Sequence, residues 1–397
     1  MADLAASLDT TPSHLSTTEV LQRLVGFDTT SRNSNLDLIG WAGAYLDDLD
    51  VPYRLSFDPT GQKANLHAIV GPQVAGGIAL SGHTDVVPVD GQAWSSDPFQ
   101  LRRDDGRLFG RGTADMKGFV AACLAAVPMF QAARLARPVH LLLSYDEEVS
   151  CDGARRLIED FGESGLTPSF CIVGEPSGMQ PILAHKGRLA VQVTVRGRTG
   201  HSSDPGKGVN AVFAAAEAVA WVAGEARRLA SEGPFADGFD PPHTTVHVGT
   251  LHGGTILNII PESARFVMEW RDIPGSDARA EVTRMRAHVA AVLEPAMHAI
   301  DPSTGFEFDV LNRLPELALD PLHPLATLVS QLTGSNSAGH VSYGTEAGLF
   351  EKAGIPSIVC GPGHIAQAHQ ADEWIAESEL AACDAFLGRL ASRLAAS

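Results

Sequence analysis

An α/β fold on a mainly parallel sheet, interrupted by a smaller α+β insert, follows from three features of this 397-residue chain. Short, wholly apolar runs end at Gly or Pro and alternate with helical stretches, the pattern of strands buried on both faces. In the middle the runs change to apolar–polar alternation, the mark of half-exposed antiparallel strands. The order of elements there is β-α-β-β-α-β, the split ferredoxin-like unit. The predicted organisation is therefore one discontinuous domain, 1–187 with 314–397, and an insert at 188–313.

Each element has its own signal. Ser16 and Glu19 form a capping box before a helix that runs to about Val25. Leu38, Ala42, Tyr45, Leu46 and Leu49 recur at helical spacing. The apolar runs 66–70, 77–81, 139–144, 170–173 and 357–360 predict buried strands, and 117–133 predicts a helix between two of them. In the insert, Leu189, Val191, Val193 and Val195 alternate along the first strand. A helix over 210–229, a Gly/Pro-rich loop over 231–242, strands over 244–251 and 264–270, a helix over 277–297 and a strand over 306–310 complete it.

Composition narrows the function classes. Lys plus Arg is 29 and Asp plus Glu is 47, giving a net charge of −18. A nucleic-acid binder needs a basic face, so that class is excluded. The five cysteines (Cys123, Cys151, Cys171, Cys360, Cys383) are scattered and include no CxxC pair, as expected of reduced thiols in a cytoplasmic protein. No run of about 18 apolar residues suggests a membrane span. The start, Met1-Ala2-Asp3-Leu4, lacks a leader's basic segment and apolar core.

Acids and histidines cluster where the apolar strands end. The run at 78–82 leads into His83-Thr84-Asp85, and that at 140–146 into Glu147-Glu148. The run at 171–174 leads into Glu175, and 357–363 is followed closely by His369. Asp115 sits in a glycine-rich turn, Gly110-Arg111-Gly112-Thr113-Ala114-Asp115, that opens a helix. Open α/β sheets bind ligands beyond the carboxyl ends of their strands, so these groups would share one rim. Taken singly they are ordinary: a surface turn, a helix N-cap, a solvated edge. Together, two histidines and several carboxylates suit Zn, with Co or Mn as alternatives. Asp115 could span two ions, with His83 and Glu175 on one and Glu148 and His369 on the other. Asp85 could hold the second N–H of the His83 ring.

The motifs Ser-Gly-His83-Thr-Asp85, Gly-Arg-Gly-Thr-Ala-Asp115-Met-Lys-Gly, Asp-Glu147-Glu148, Gly-Glu175-Pro-Ser and His369 resemble those of the M20 metallopeptidase family, in family order. Finer features resemble its acetylornithine deacetylase branch: Ala184-His185-Lys186-Gly187, Gly200-His201-Ser202-Ser203-Asp204-Pro205, Gly344-Thr345-Glu346-Ala347 and Gln367-Ala368-His369-Gln370-Ala371-Asp372-Glu373. The resemblance implies two divalent ions per subunit, bridged by Asp115, and a cis peptide after that aspartate. It implies Glu147 as general base, acting on a metal-bridging hydroxide. It also implies that 188–313 is a lid and dimerisation domain of a homodimer, with His201 stabilising the oxyanion across the subunit boundary.

In that context Asn258 and Arg271 become substrate-binding candidates, Arg271 as a fork for a carboxylate. Gly344 and Thr345 are expected to line the same pocket. The substrate expected is a small N-acyl amino acid, N2-acetyl-L-ornithine first. Succinyl-diaminopimelate, another acylated amino acid or a dipeptide would use the same chemistry. A two-metal phosphatase or nuclease would use similar ligands, but the motif order does not match one. A non-catalytic binding module would have lost Glu147 or a ligand, and none is missing.

Overall fold

The computed structural model describes residues 14–396, so the start of the chain, Met1-Ala2-Asp3-Leu4, expected to lack a leader's features, lies outside the described residues. A nine-stranded sheet forms the centre. Its middle strands, Val139–Ser144, Ile78–His83, Phe170–Pro176 and Ser357–Gly361, lie side by side in that order and run parallel. Parallel neighbours need crossover connections. The helical stretch Thr113–Ala132 and the helix Asp152–Ser164 supply two of them.

Side chains alternate between the faces of these strands, and both faces are covered. Leu80, Leu141, Leu143, Ile172 and Ile358 pack under the helices Thr17–Val25, Gly118–Ala125 and Glu377–Leu394. Ala79, Leu142, Cys171, Val173 and Val359 pack against Asp152–Ser164 and Ala347–Lys352. This double burial explains why the strands are apolar throughout. By length and composition Thr113–Ala132 could cross a membrane, yet 83% of its apolar window is buried inside the protein.

The flanks of the sheet are antiparallel except for Gly339–Val341, which pairs parallel to Ile182–His185. Tyr53–Phe57 and Ala64–Val70 form one side, and Ile182–His185 with Leu317–Ala318 the other. The sheet is thus mixed, with parallel order at its centre. Tyr53–Phe57, Ile182–His185, Leu317–Ala318 and Gly339–Val341 escaped the sequence reading, because so few residues show no period.

The middle of the chain forms a separate four-stranded antiparallel sheet, ordered Thr245–Gly253, Ser263–Arg271, Arg188–Arg196, Gly305–Leu314. Helices Ala211–Glu232 and Ala278–His288 cover one face. Leu189, Val191, Val193, Val195, Phe266, Met268 and Trp270 fill the space between. The last strand runs beyond the expected 306–310 because a bulge between Val310 and Asn312 resets its register. The ends of this unit are tied where they cross. Arg313 pairs with both oxygens of the buried Asp272 at 2.8 Å. Gly187 passes so close that a Cβ there would sit 2.5 Å from Asp272 Oδ1.

Not every histidine belongs to the rim. His67 Nε2 donates to His140 Nδ1 at 2.9 Å, and His140 Nε2 donates to the Gly76 carbonyl at 2.8 Å. With Nε2 donating and Nδ1 accepting, the His140 ring is neutral. Burial, then the neighbouring His140, pushes the His67 pKa down to about 3. The unfolded chain therefore takes up this proton first as pH falls below about 6.5, and the folded chain only near 3. Stability is complete above that window and is lost through it, by about 2 kcal/mol at pH 5. His67→Gln keeps a donor for His140 but does not titrate. Urea unfolding at pH 7 and pH 5 should show the variant losing about 2 kcal/mol less than the wild type; equal losses would contradict this role.

Candidate metal centre

Because the central strands are parallel, their carboxyl ends open on one rim. His83 is the last residue of Ile78–His83, and Glu147 and Glu148 follow Val139–Ser144. Glu175 lies near the end of Phe170–Pro176, and His369 lies in the loop after Ser357–Gly361. Asp115 is brought to the same place by the turn at Gly112, whose φ is +83°; the Asp115–Met116 peptide is cis.

Two ligand groups form, His83–Asp115–Glu175 and Asp115–Glu148–His369. Asp115 belongs to both. Its Oδ1 lies 3.0 Å from His83 Nε2 and its Oδ2 lies 3.2 Å from His369 Nε2. Glu175 Oε1 is 3.7 Å from His83 Nε2, and Glu148 is 3.2 Å from His369 Nε2. His83 Nδ1 donates to a main-chain carbonyl at 2.9 Å, which leaves Nε2 to face the carboxylates.

The charges fit a cation. Burial, with Asp115 and Glu147 adding to it, pushes Glu175 well above the usual carboxylate range. Glu147 is raised in the same way by burial and by Glu148, and burial with Asp115 raises Glu148 to about 6. Hydrogen bonds to Asp115 and Glu148 raise His369 to about 10. Asp115 is buried, yet hydrogen bonds from His369 and His83 hold it below its ordinary value. Carboxylates packed this closely repel one another unless protons or cations sit among them. Nitrogen and oxygen donors of this kind suit a divalent ion such as Zn.

Asp85 acts differently from the sequence expectation. The carbonyl that fixes the His83 ring is the main chain of Asp85, and its carboxylate lies 3.6 Å from Nδ1. That carboxylate instead accepts the amides of Glu147 and Glu148 at 3.0 and 3.3 Å, and the Ser31 hydroxyl at 2.7 Å. It therefore shapes the turn that carries both glutamates. Sequence spacing favoured His83 because the turn is some sixty residues away and only folding brings it near.

Glu147, Glu148, Asp115, Glu175 and His369 line a cavity of about 140 Å³ together with Arg271 and Gly344. Arg188 and Tyr343 line it too, and the sequence reading missed both. Their signal was position: Arg188 follows Gly187 at the start of the insert, and Tyr343 precedes Gly344. Glu269 joins the two arginines, at 2.5 Å from Arg188 Nε and 2.7 Å from Arg271 Nε. A larger cleft of about 930 Å³ holds none of the expected site residues, although Asn312 borders both spaces.

Thr345 does not line the cavity as expected. It is fully buried, its hydroxyl accepts the Ala347 amide, and its amide donates to His185 Nε2. His201 and Asn258 are exposed and lie outside the cavity within this chain. They lie together instead: the Ser202 amide donates to the Asn258 carbonyl at 3.2 Å, beside the ladder of Gly200–His201 with Ile259–Ile260.

A family model for peptidase family M20/M25/M40 matches residues 79–393. Solved structures similar to the chain include a tripeptidase from Staphylococcus aureus subsp. aureus Mu50. It has a TM-score of 0.72 and 19% identity, covering 96% of this chain and 98% of that one. An M20 family metallo-carboxypeptidase from Sulfolobus solfataricus has a TM-score of 0.73 and 17% identity, covering 95% and 99%. A dinuclear metal-binding M20 peptidase from Bacillus subtilis has a TM-score of 0.64 and 15% identity, covering 96% and 98%. At these identities the likeness is one of fold.

Proposed function

The chain belongs to peptidase family M20/M25/M40, and from that premise we propose that it is a metal-dependent amidohydrolase that deacetylates N2-acetyl-L-ornithine. The observation that carries this reading is Glu147: it lines one cavity with Asp115, Glu175, Glu148 and His369 of the two ligand groups, yet belongs to neither group itself. His83, Asp115 and Glu175 would hold one divalent ion, and Asp115, Glu148 and His369 the other, most reasonably Zn. Such ions supply Lewis acidity, which acidifies a water and polarises an amide carbonyl.

The protein's own groups do the rest. Burial keeps Glu147 basic enough to accept the attacking water's proton at its carboxylate and hand it to the leaving amine nitrogen. Asp85 fixes the Glu147 main chain while this happens. The Arg271 guanidinium, aimed by Glu269, would bind the α-carboxylate of the substrate. Gly344 and Leu314 line the same small cavity, which suits a short acyl group.

His201 and Asn258 complete the site if a second copy docks on the insert. Thr245–Gly253 is the outer strand of its sheet, and Leu257 and Phe213 stand 97% and 68% exposed near it. A homodimer through this face would cover them and offer His201 to the partner's oxyanion. The five cysteines are all free and buried, in keeping with a cytoplasmic place.

Arg271→Lys loses the bidentate fork but keeps the charge. Steady-state kinetics should show KM for acylated amino acids rising about tenfold with kcat little changed, the signature of lost uniform binding; unchanged kinetics would remove Arg271 from the site. Acetate release from N2-acetyl-L-ornithine should vanish with a chelator and return with Zn. A second reading, cleavage of a dipeptide or a longer acyl group, draws support from the 930 Å³ cleft, which shares the lining residue Asn312 with the cavity. A zinc-loaded chain that cleaves succinyl-diaminopimelate or dipeptides and spares acetylornithine would replace the first reading with the second.

A further inference from the structure

The two histidines of the rim are held in different ways. His83 ends a central strand and is wholly buried, so packing fixes it. The His369 side chain is 50% exposed, and the residue sits in a loop at φ +62°, a conformation that non-glycine residues rarely adopt. Something outside the loop must hold it in place for it to meet Asp115 and Glu148.

A buried polar network does so. Glu373, four residues past His369, is 1% exposed. Its Oε1 accepts the amides of Ala114 and Asp115 at 2.9 and 3.1 Å, and its main-chain oxygen accepts the Gly110 amide at 2.9 Å. Its Oε2 accepts Arg111 Nη1 at 2.6 Å, and Arg111 is also 1% exposed. Arg111 Nη2 donates to Gln92 Oε1 at 2.6 Å, as Trp94 Nε1 does at 3.0 Å. Those two donors fix the amide of Gln92, whose Nε2 then donates to the His369 carbonyl at 2.9 Å. A buried ion pair is seldom the most stabilising way to fill space. This one joins the turn of one candidate ligand to the loop of another.

We propose that Glu373, Arg111 and Gln92 are positioning residues that register the His369 loop on the Asp115 turn and so set the affinity of the Asp115–Glu148–His369 group for its cation. The proposal rests on the metal-centre reading above. None of the three contacts the ligand atoms; they act through the main chain of Asp115 and His369.

The test is calorimetric titration of metal-free chain with Zn²⁺, so activity plays no part in it. The wild type should show two binding events. Gln92→Ala, a partly exposed site, should weaken one event about tenfold and leave the other, and Glu373→Gln should weaken it by about 10–100-fold. Unfolding of the metal-free Gln92→Ala chain should stay cooperative, with its midpoint lowered only modestly by the donors left unpaired on Arg111 and Trp94. If Gln92→Ala binds both ions as the wild type does, or weakens both equally, the proposal fails, whether or not Glu373→Gln folds. Zinc uptake absent from the wild type itself would overturn the metal-centre reading, and this one with it.

Discussion

Glu147→Gln should lower turnover of N2-acetyl-L-ornithine by about 10²–10⁴-fold while both cations stay bound. That loss corresponds to about 3–5 kcal/mol of transition-state stabilisation. The substitution keeps the shape of the side chain and the main-chain amide that Asp85 accepts. It removes only the ability to take and return a proton. Metal content should be unchanged, because neither ligand group includes Glu147. Metal analysis beside a single-turnover assay separates the outcomes. A fully loaded Glu147→Gln chain that still turns over would move the general base elsewhere.

Asp115→Ala should have the opposite signature, loss of metal before loss of chemistry. Asp115 is the one residue common to both groups, with one oxygen toward each histidine. Its removal leaves each group with two protein ligands, below the three expected of a catalytic zinc site. Dialysed protein should carry at most one ion per chain. A cation at 100 times its Kd stabilises the folded state by about 2.7 kcal/mol per site. The rise in thermal midpoint that Zn gives the wild type should therefore largely disappear in the variant. Two ions retained at wild-type affinity would show that Asp115 is not shared.

Much of this was legible beforehand, for a physical reason. A strand buried on both faces must be apolar along its length, so its end is marked where polar residues begin. His83, Glu147, Glu148 and Glu175 each stand at such an end, and Asp115 stands in a glycine-rich turn before a helix. The insert was equally plain, since one face of its sheet packs on helices and the other does not. Leu189, Val191, Val193 and Val195 record that alternation directly.

What stayed hidden involves contacts between distant segments. Arg188 reaches the cavity from the start of the insert and Tyr343 from the segment that follows it, so only folding brings the two together. Asp85 was matched to His83 by spacing, whereas its carboxylate serves the turn at Glu147 and Glu148. Thr345 adjoins Gly344 in sequence, but its side chain turns inward to the Ala347 amide. His201 and Asn258 meet each other on the insert and not the cavity.

By itself the sequence determined which residues could do chemistry and on which elements they sit, because burial and periodicity are local consequences of side-chain type. Tertiary structure alone decided which of them share an atom's reach. Parallel pairing of Ile78–His83 with Val139–Ser144 and Phe170–Pro176 puts three strand ends on one rim. A buried carboxylate at Glu373 then ties the loop of His369 to the turn of Asp115, some 250 residues earlier, at hydrogen-bond distance. Hydrogen bonds and charge pairing act over a few ångströms, and no pattern along the chain encodes that proximity.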